Sequence, residues 1–163
     1  MQVNEIMKQP VVTCPADGDL NQAAQLMWEH DCGSIPVVDA DGRLAGIVTD
    51  RDVCMAAYTQ GASLRSIPVA SAMAPHVLVC HVDDSLETAE ELMREGQVRR
   101  IPVIDHDGCP VGIVSLNDLT RLAAQARKSS VDRQIVETLA AVGARRTRSD
   151  FKARHATADS SAP

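Results

Sequence analysis

Apolar positions recur along this chain in two rhythms: short unbroken runs that mark buried strands, and runs of period 3.6 that mark one-sided helices. Val11 to Cys14 is the first strand-like run. Asp19 then offers a cap to a helix whose Leu20, Ala23, Ala24 and Met27 share one face, and which ends between His30 and Gly33. Ile35 to Val38 and Leu44 to Val48 predict two further strands, separated by the turn-forming Asp39-Ala40-Asp41-Gly42. A second helix starts near Thr49, runs to about Tyr58 and stops before Gly61. The same order returns at Val77 to Cys80, Ser85 to Glu95, Ile101 to Ile104, Val111 to Val114 and Ser115 to about Ala126. A helical crossover makes the first two strands of each set parallel, and the short turn makes the next pair an antiparallel hairpin.

Sliding the chain past itself explains the return. At an offset of 66 residues, Val3/Val69 through Asp52/Asp118 align without a gap and 20 of the 50 positions are identical, including Met7/Met73, Cys14/Cys80 and Gly46-Ile47-Val48 over Gly112-Ile113-Val114. A unit of about 60 residues buries too little surface to stand comfortably alone, so the two copies are expected to pack face to face about a pseudo-two-fold axis. The expected fold class is α/β of the α+β kind, with tandem βαββα repeats over residues 1–66 and 67–128. Residues 129–144 predict one more helix, capped by Ser129 or Ser130, with Val131, Ile135, Val136, Leu139 and Val142 at amphipathic spacing. The stretch 145–163 is too polar to build a core and reads as a disordered basic tail.

Composition narrows the function classes. Hydrophobic residues make up 45% and charged ones 23%, an ordinary globular balance, and no apolar stretch is long enough to span a membrane. The first residues do not read as a secretory signal, so a soluble cytoplasmic protein is expected. Through Thr120 the chain holds seven Lys and Arg against eighteen Asp and Glu, a net charge of −11, and the remainder carries nine against four, or +5. An acidic body with only three aromatic residues (Trp28, Tyr58, Phe151) argues against nucleic-acid binding, which draws on phosphate neutralisation and base stacking. The five cysteines include no C-x-x-C pair, and buried thiols are the expectation rather than disulfides or zinc.

Several residues now carry a family resemblance. The duplicated Ile-Pro-Val-Val-Asp and Ile-Pro-Val-Ile-Asp strands, the Asp-Gly turns, Met7 and Met73, and the closing Gly-Ile-Val-Thr-Asp-Arg-Asp and Gly-Ile-Val-Ser-Leu-Asn-Asp segments together resemble a tandem pair of cystathionine β-synthase (CBS) domains, or Bateman module, over roughly Val3 to Ala126. The resemblance implies two small mixed sheets packed together, frequent homodimers, adenine-nucleotide binding in the clefts between repeats, and no catalysis. It places Asp52 and Asp118 on the family's ribose-binding position, and Thr49 and Ser115 on its hydroxyl position.

The residues themselves allow that chemistry. A buried strand runs from Gly46 straight into a helix start at Thr49, where free backbone N–H groups favour an anion. A carboxylate at Asp52 can accept both hydrogens of a ribose diol. Thr49 with Asp52, and Ser115 with Asp118, also have the spacing of a helix capping box, and the two readings do not exclude each other. Arg51, Arg99 and Arg100 are three of the seven cations in the acidic body, and the resemblance puts phosphate-binding residues just before the second Ile-Pro-Val, where Arg99 and Arg100 stand. The first repeat has Gly33 and Ser34 at those positions, so one competent and one weaker cleft are expected. By the resemblance, the stronger cleft joins Thr49 and Asp52 to Arg99 and Arg100, and adenine lies against backbone near Thr13, Cys14, Ile35 and Pro36.

Other features point less far. His30, His76, His81 and His106 lack the spacing of a metal pair, and no nucleophile stands with a base and an orienting partner, so neither a metal site nor an enzyme is expected. Val53 to Tyr58 is apolar without a break, so that helix needs a second partner face, and the stripe of Leu116, Leu119, Leu122, Ala123 and Ala126 extends the demand. A two-fold homodimer through these helices is the expected answer. The functional expectation is a stand-alone sensor of AMP, ADP or ATP, requiring no cofactor, that signals to an effector protein of unknown identity or across its own dimer. The alternative is a ligand-independent homodimeric interaction module whose clefts are vestigial.

Overall fold

The computed structural model describes residues 1–126 and 129–144, so the basic tail expected over 145–163 lies outside the described residues. Each repeat forms a three-stranded sheet with two helices. The first is β1 (Cys14–Pro15), α1 (Leu20–Glu29), β2 (Ser34–Val38), β3 (Leu44–Thr49) and α2 (Asp50–Gln60), and the second is β4 (Cys80–His81), α3 (Leu86–Gly96), β5 (Arg100–Ile104), β6 (Pro110–Ser115) and α4 (Leu116–Ala126). In both sheets the middle strand pairs in parallel with the strand before the helix and antiparallel with the strand after the turn.

The first strand of each set is shorter than its apolar run. Only Cys14 and Pro15 find partners, Val37 and Val38, and in the second repeat Cys80 and His81 pair with Val103 and Ile104. Apolar character marks burial, but a ladder needs a neighbouring edge, and none meets Val11 to Thr13. Pro36 and Pro102 stand one residue before this parallel ladder begins, where a strand can lack an N–H donor on that side without breaking a bond. The helices follow their capping residues closely: the Asp19 side chain accepts from the Gln22 N–H at 2.8 Å, the Ser85 hydroxyl accepts from the Thr88 N–H at 3.2 Å, and Gly61 ends α2 in the left-handed region at φ 61°.

Two cores result, and each borrows from the other repeat's sequence. Leu20, Ala23 and Met27 of α1 pack with Ile35, Val37, Val48, Val53 and Ala56, and the cluster is completed by Ile67 and Val69 from the leading segment of the second repeat. Val3, in the leading segment of the first repeat, lies in the core of Leu86, Met93, Ile101, Val103, Val114 and Leu119. Backbone bonds seal both exchanges. Lys8 and Ile113 bond reciprocally along the free edge of β6 (2.9 and 3.2 Å), as do Ala74 and Ile47 along β3 (2.8 and 3.1 Å), while Val3 donates to the Asp84 carbonyl and Leu20 to that of Ile67, both at 2.9 Å. This reciprocity is the pseudo-two-fold axis made visible. It also explains the duplicated methionines, because Met73 lies over Gly46 and Met7 over Gly112.

Those two glycines form a natural comparison. A Cβ on Gly46 would lie 2.9 Å from the Ala74 carbonyl oxygen, which is pinned by its bond to Ile47, whereas the three atoms nearest a Cβ on Gly112 all belong to the side chain of Met7. Gly46→Ala is expected to cost about 1–3 kcal/mol, and Gly112→Ala clearly less because Met7 can swing aside. Urea midpoints measured in parallel check this, and equal losses would contradict it.

A final helix, α5 (Ser129–Gly143), packs on α3 and α4 and adds Ile135 and Val142 to the second core. Its presence corrects one expectation. The apolar stripe of α4 is satisfied within the chain, with Leu119 buried and Leu122 and Ala123 packed against the same core. On α2, Val53 and Ala56 face the first core, while Cys54, Met55 and Tyr58 are exposed, so the helices of the first repeat leave an apolar surface open. Cys14 and Cys80 lie in separate cores, and burial pushes their thiols up to about 11 and about 12, far from the thiolate that metal binding or nucleophilic attack requires.

Candidate functional site

The strand-to-helix junctions of both repeats close in the same way. The Asp52 Oδ2 accepts from the Thr49 N–H (2.9 Å) and the Thr49 hydroxyl (2.7 Å), and the Thr49 oxygen accepts from the Asp52 N–H at 3.2 Å. Ser115 and Asp118 repeat the pattern, with the Ser115 N–H donating to Asp118 Oδ2 at 2.9 Å. The capping box therefore exists at both positions, and what distinguishes the halves is the other carboxylate oxygen. Asp118 Oδ1 is taken by the guanidinium of Arg121, and its side chain is buried. Asp52 is half-buried, and no hydrogen bond engages its Oδ1 among the described residues. A cap that leaves one oxygen open can still receive a diol, whereas a cap with both oxygens engaged must first give up an ion pair.

The cations are arranged just as unequally. Arg99 and Arg100, both exposed, line a cavity of about 410 Å³ together with Ser115, Leu116 and Asn117 at the start of α4 and with Leu139, Val142 and Gly143 of α5. The Leu116 N–H donates to the Arg99 carbonyl at 2.9 Å, and Arg100 pairs with Ser115 across the β5–β6 ladder, so the two arginines are fixed beside the amino end of α4. Arg100 also reaches toward the other repeat. A Cβ on Gly33 would lie 3.5 Å from Arg100 Nη2 and 3.0 Å from Asp50 Oδ2, so the missing side chain of Gly33 leaves room for the guanidinium beside the start of α2. The difference between Gly33 and Arg99 in the aligned repeats thus has a steric counterpart.

Of the remaining site expectations, Arg51 is exposed on the first turn of α2. Cys14, Ile35 and Pro36 are buried and Thr13 is half-buried, so Cys14 and Ile35, as core side chains, can meet a ligand only through their backbone. Beside them Ser34, opposite Thr49 in the ladder, has a buried hydroxyl with no hydrogen-bond partner among the described residues. A second cavity, of about 460 Å³, is lined by Gln9, Pro10 and Val11 with Pro110 and Val111, and so joins the approach to β1 with the edge strand of the other repeat. Thr49 and Asp52 line neither cavity.

Asp50, Asn117 and the last turn of α5 were not singled out in the sequence. Asp50 and Asn117 could have been found as the polar positions inside the two boxes, one residue after Thr49 and two after Ser115. Nothing in the repeat pattern points to α5, which has no counterpart in the first half. Among the described residues no group of three His, Cys, Asp or Glu could hold a metal ion, and no helix is long and apolar enough to cross a membrane.

Comparison with known proteins places this arrangement among relatives. The family model described as the CBS domain matches twice, over residues 3–58 and 67–125. The CBS domain-containing protein YhcV of Bacillus subtilis (strain 168) is 38% identical over 117 residues, which cover 72% of this chain and 81% of that protein. The solved CBS domain pair of protein MJ0100, in complex with 5′-methylthioadenosine and S-adenosyl-L-methionine, is similar with a TM-score of 0.71 at 25% identity, covering 78% of this chain and 98% of that one. The structure of CBSX2 in complex with AMP is similar with a TM-score of 0.67 at 28% identity and the same two coverages.

Proposed function

This chain belongs to the CBS-domain family, and from that premise we propose that it is a regulatory module that binds an adenine nucleotide between its repeats and passes the bound state to a partner protein or across its own dimer. The observation that carries the reading is the unequal equipment of the two junctions. Two arginines converge at the Ser115 end, one of them extending to Gly33, in a body whose net charge through Thr120 is −11. Cations held at one place in such a body favour an anion there. Asp52 keeps an oxygen for a ribose diol, the Ser34 hydroxyl is a further unused donor, and adenosine-containing ligands occupy the related MJ0100 and CBSX2 pairs. AMP, ADP and ATP share the groups this site would grip, and the number of phosphates is read by Arg99 and Arg100. The reading assigns the module no catalytic step.

A thermal-shift series with AMP, ADP and ATP tests it. A ligand selective for the folded state adds about 2.7 kcal/mol at a hundredfold excess over Kd, so a clear rise in Tm is expected. A flat response at millimolar concentration of all three would leave only the ligand-independent interaction module. Asp52→Asn separates cap from contact. An amide keeps an acceptor for the Thr49 N–H, so stability should change by less than about 1 kcal/mol, while nucleotide affinity should fall at least severalfold. Lost stability with unchanged affinity would assign Asp52 to capping alone.

The same reading includes a homodimer, which we place on the α1–α2 side of the first repeat. Trp28 is 88% exposed and Tyr58 81%, and both belong to this helix pair, whereas α5 covers α3 and α4. Ala56 lies inside its own core, so a charge there would unfold the chain rather than part a dimer. Trp28→Glu with Tyr58→Glu is the appropriate variant. Light scattering should show a wild-type dimer at micromolar concentration and a folded monomeric variant, and a wild type that stays monomeric at high micromolar concentration would refute this contact.

A further inference from the structure

We propose that α5 is the output element of the arginine-lined pocket, because an anion bound there and the docked last turn of α5 compete for the same two cations. The inference rests on the nucleotide reading above and adds its regulation. Three features of the pocket wall carry it.

First, the wall is built from two helix ends of opposite polarity. The amino end of α4 at Ser115 supplies the positive end of a helix dipole, while the carboxyl end of α5 supplies Leu139, Val142 and Gly143 and the negative end of another. Arg99 and Arg100 lie between them. Without a ligand, the positive potential of the pair favours the carbonyl end of α5, even with the Arg100 guanidinium extended toward Gly33. With an anion on the arginines, that end sits against a like charge, so the two occupants oppose each other.

Second, the strand that bears the arginines is tied to α5 directly. Gln97, which ends α3 in the left-handed region at φ 48°, donates from its side-chain amide to the Ala141 carbonyl at 3.4 Å, two residues before Arg99. A shift of Arg99 and Arg100 toward a ligand therefore pulls on a contact that holds the last turn.

Third, the last turn of α5 is held less firmly than the segment before it. Ile135 and Thr138 are fully enclosed, whereas Leu139 is 37% exposed, Gly143 is open, and Val142 is the one buried side chain of the last turn. Peeling residues 139–143 withdraws Val142 but leaves the Ile135 anchor in the core, and it uncovers part of the helical face on α3 and α4 that the first repeat presents openly on α1 and α2. Coupling of this kind is reciprocal, so whatever weakens docking of α5 must tighten the ligand by the same factor, for as long as the docked form predominates.

The test uses the full chain, with AMP as the nucleotide and inorganic pyrophosphate as a plain anion. Hydrogen exchange of the amides over 139–144 is expected to speed up at least fivefold when AMP saturates the protein. Ile135→Ala, which loosens α5 without lining the pocket, is expected to bind AMP at least fivefold more tightly. If AMP binds and raises Tm but the exchange of 139–144 is unchanged or slowed, the coupling is overturned and the nucleotide reading stands. If AMP fails to bind while pyrophosphate speeds the exchange, the nucleotide reading fails and the coupling stands. No change with either ligand overturns the coupling, as does a folded Ile135→Ala protein that binds AMP no more tightly than the wild type.

Discussion

Replacing Arg99 and Arg100 together by alanine is expected to weaken AMP binding about 30- to 1000-fold, while adenosine, which has no phosphate, loses little. A charge-assisted hydrogen bond contributes about 1.5–3 kcal/mol in favourable settings, but both side chains are exposed at the pocket rim and are screened there. About 1–2 kcal/mol for each arginine is therefore the appropriate scale, and two of them give the stated range. The contrast between ligands carries more than the magnitude. If adenosine and AMP weakened alike, the arginines would be supporting the fold of the cleft rather than holding phosphate, and if neither weakened, the anion would bind elsewhere. Calorimetry at two salt concentrations adds a check, because a phosphate contact at an exposed rim loses strength as ionic strength rises.

The second large effect concerns the crossed cores. Ile67→Ala is expected to cost about 2–5 kcal/mol, since the side chain is fully buried and its removal leaves a cavity that the neighbouring strands can only partly fill. Set against the 5–15 kcal/mol of a typical domain, that is enough to shift the urea midpoint substantially with the slope unchanged. The location of the damage is the sharper expectation. Ile67 belongs by sequence to the second repeat, yet it packs with Leu20, Ala23 and Ile35 of the first, and its carbonyl accepts the Leu20 N–H. Local hydrogen exchange should therefore loosen α1 and β2 more than α3 and β5. Val3→Ala should do the reverse. If Ile67→Ala loosened the second repeat first, the exchange of segments would not be the contact that holds the halves together.

Much of the architecture was legible before any coordinate. The helices and hairpins follow from local rules, because period, capping residue and turn chemistry act over a few residues and both copies repeat them: Asp19 caps where expected, and Gly61 stops α2. The asymmetry between Gly33-Ser34 and Arg99-Arg100 was likewise readable, since aligning the two copies turns each into a control for the other. The capping boxes of Thr49 with Asp52 and Ser115 with Asp118 could be read from spacing alone.

Other features could not be read that way, for a common reason. The pairing of Asp118 with Arg121, the room that Gly33 leaves for Arg100, the exchange of Val3 for Ile67 and Val69, and the turn of α5 against the arginines are all decided by which surfaces meet in space. The short first strands belong here as well, since an apolar run records burial and not the presence of a neighbouring edge. Hydrophobic pattern fixes that a side chain must be covered but not by what, because apolar contact has no direction and many partners satisfy it equally. The sequence by itself therefore determined the elements, the duplication and the chemistry of the junctions. Only the tertiary structure decided that each core is closed by the other repeat's leading segment, and that the second helical face is closed from within the chain by α5.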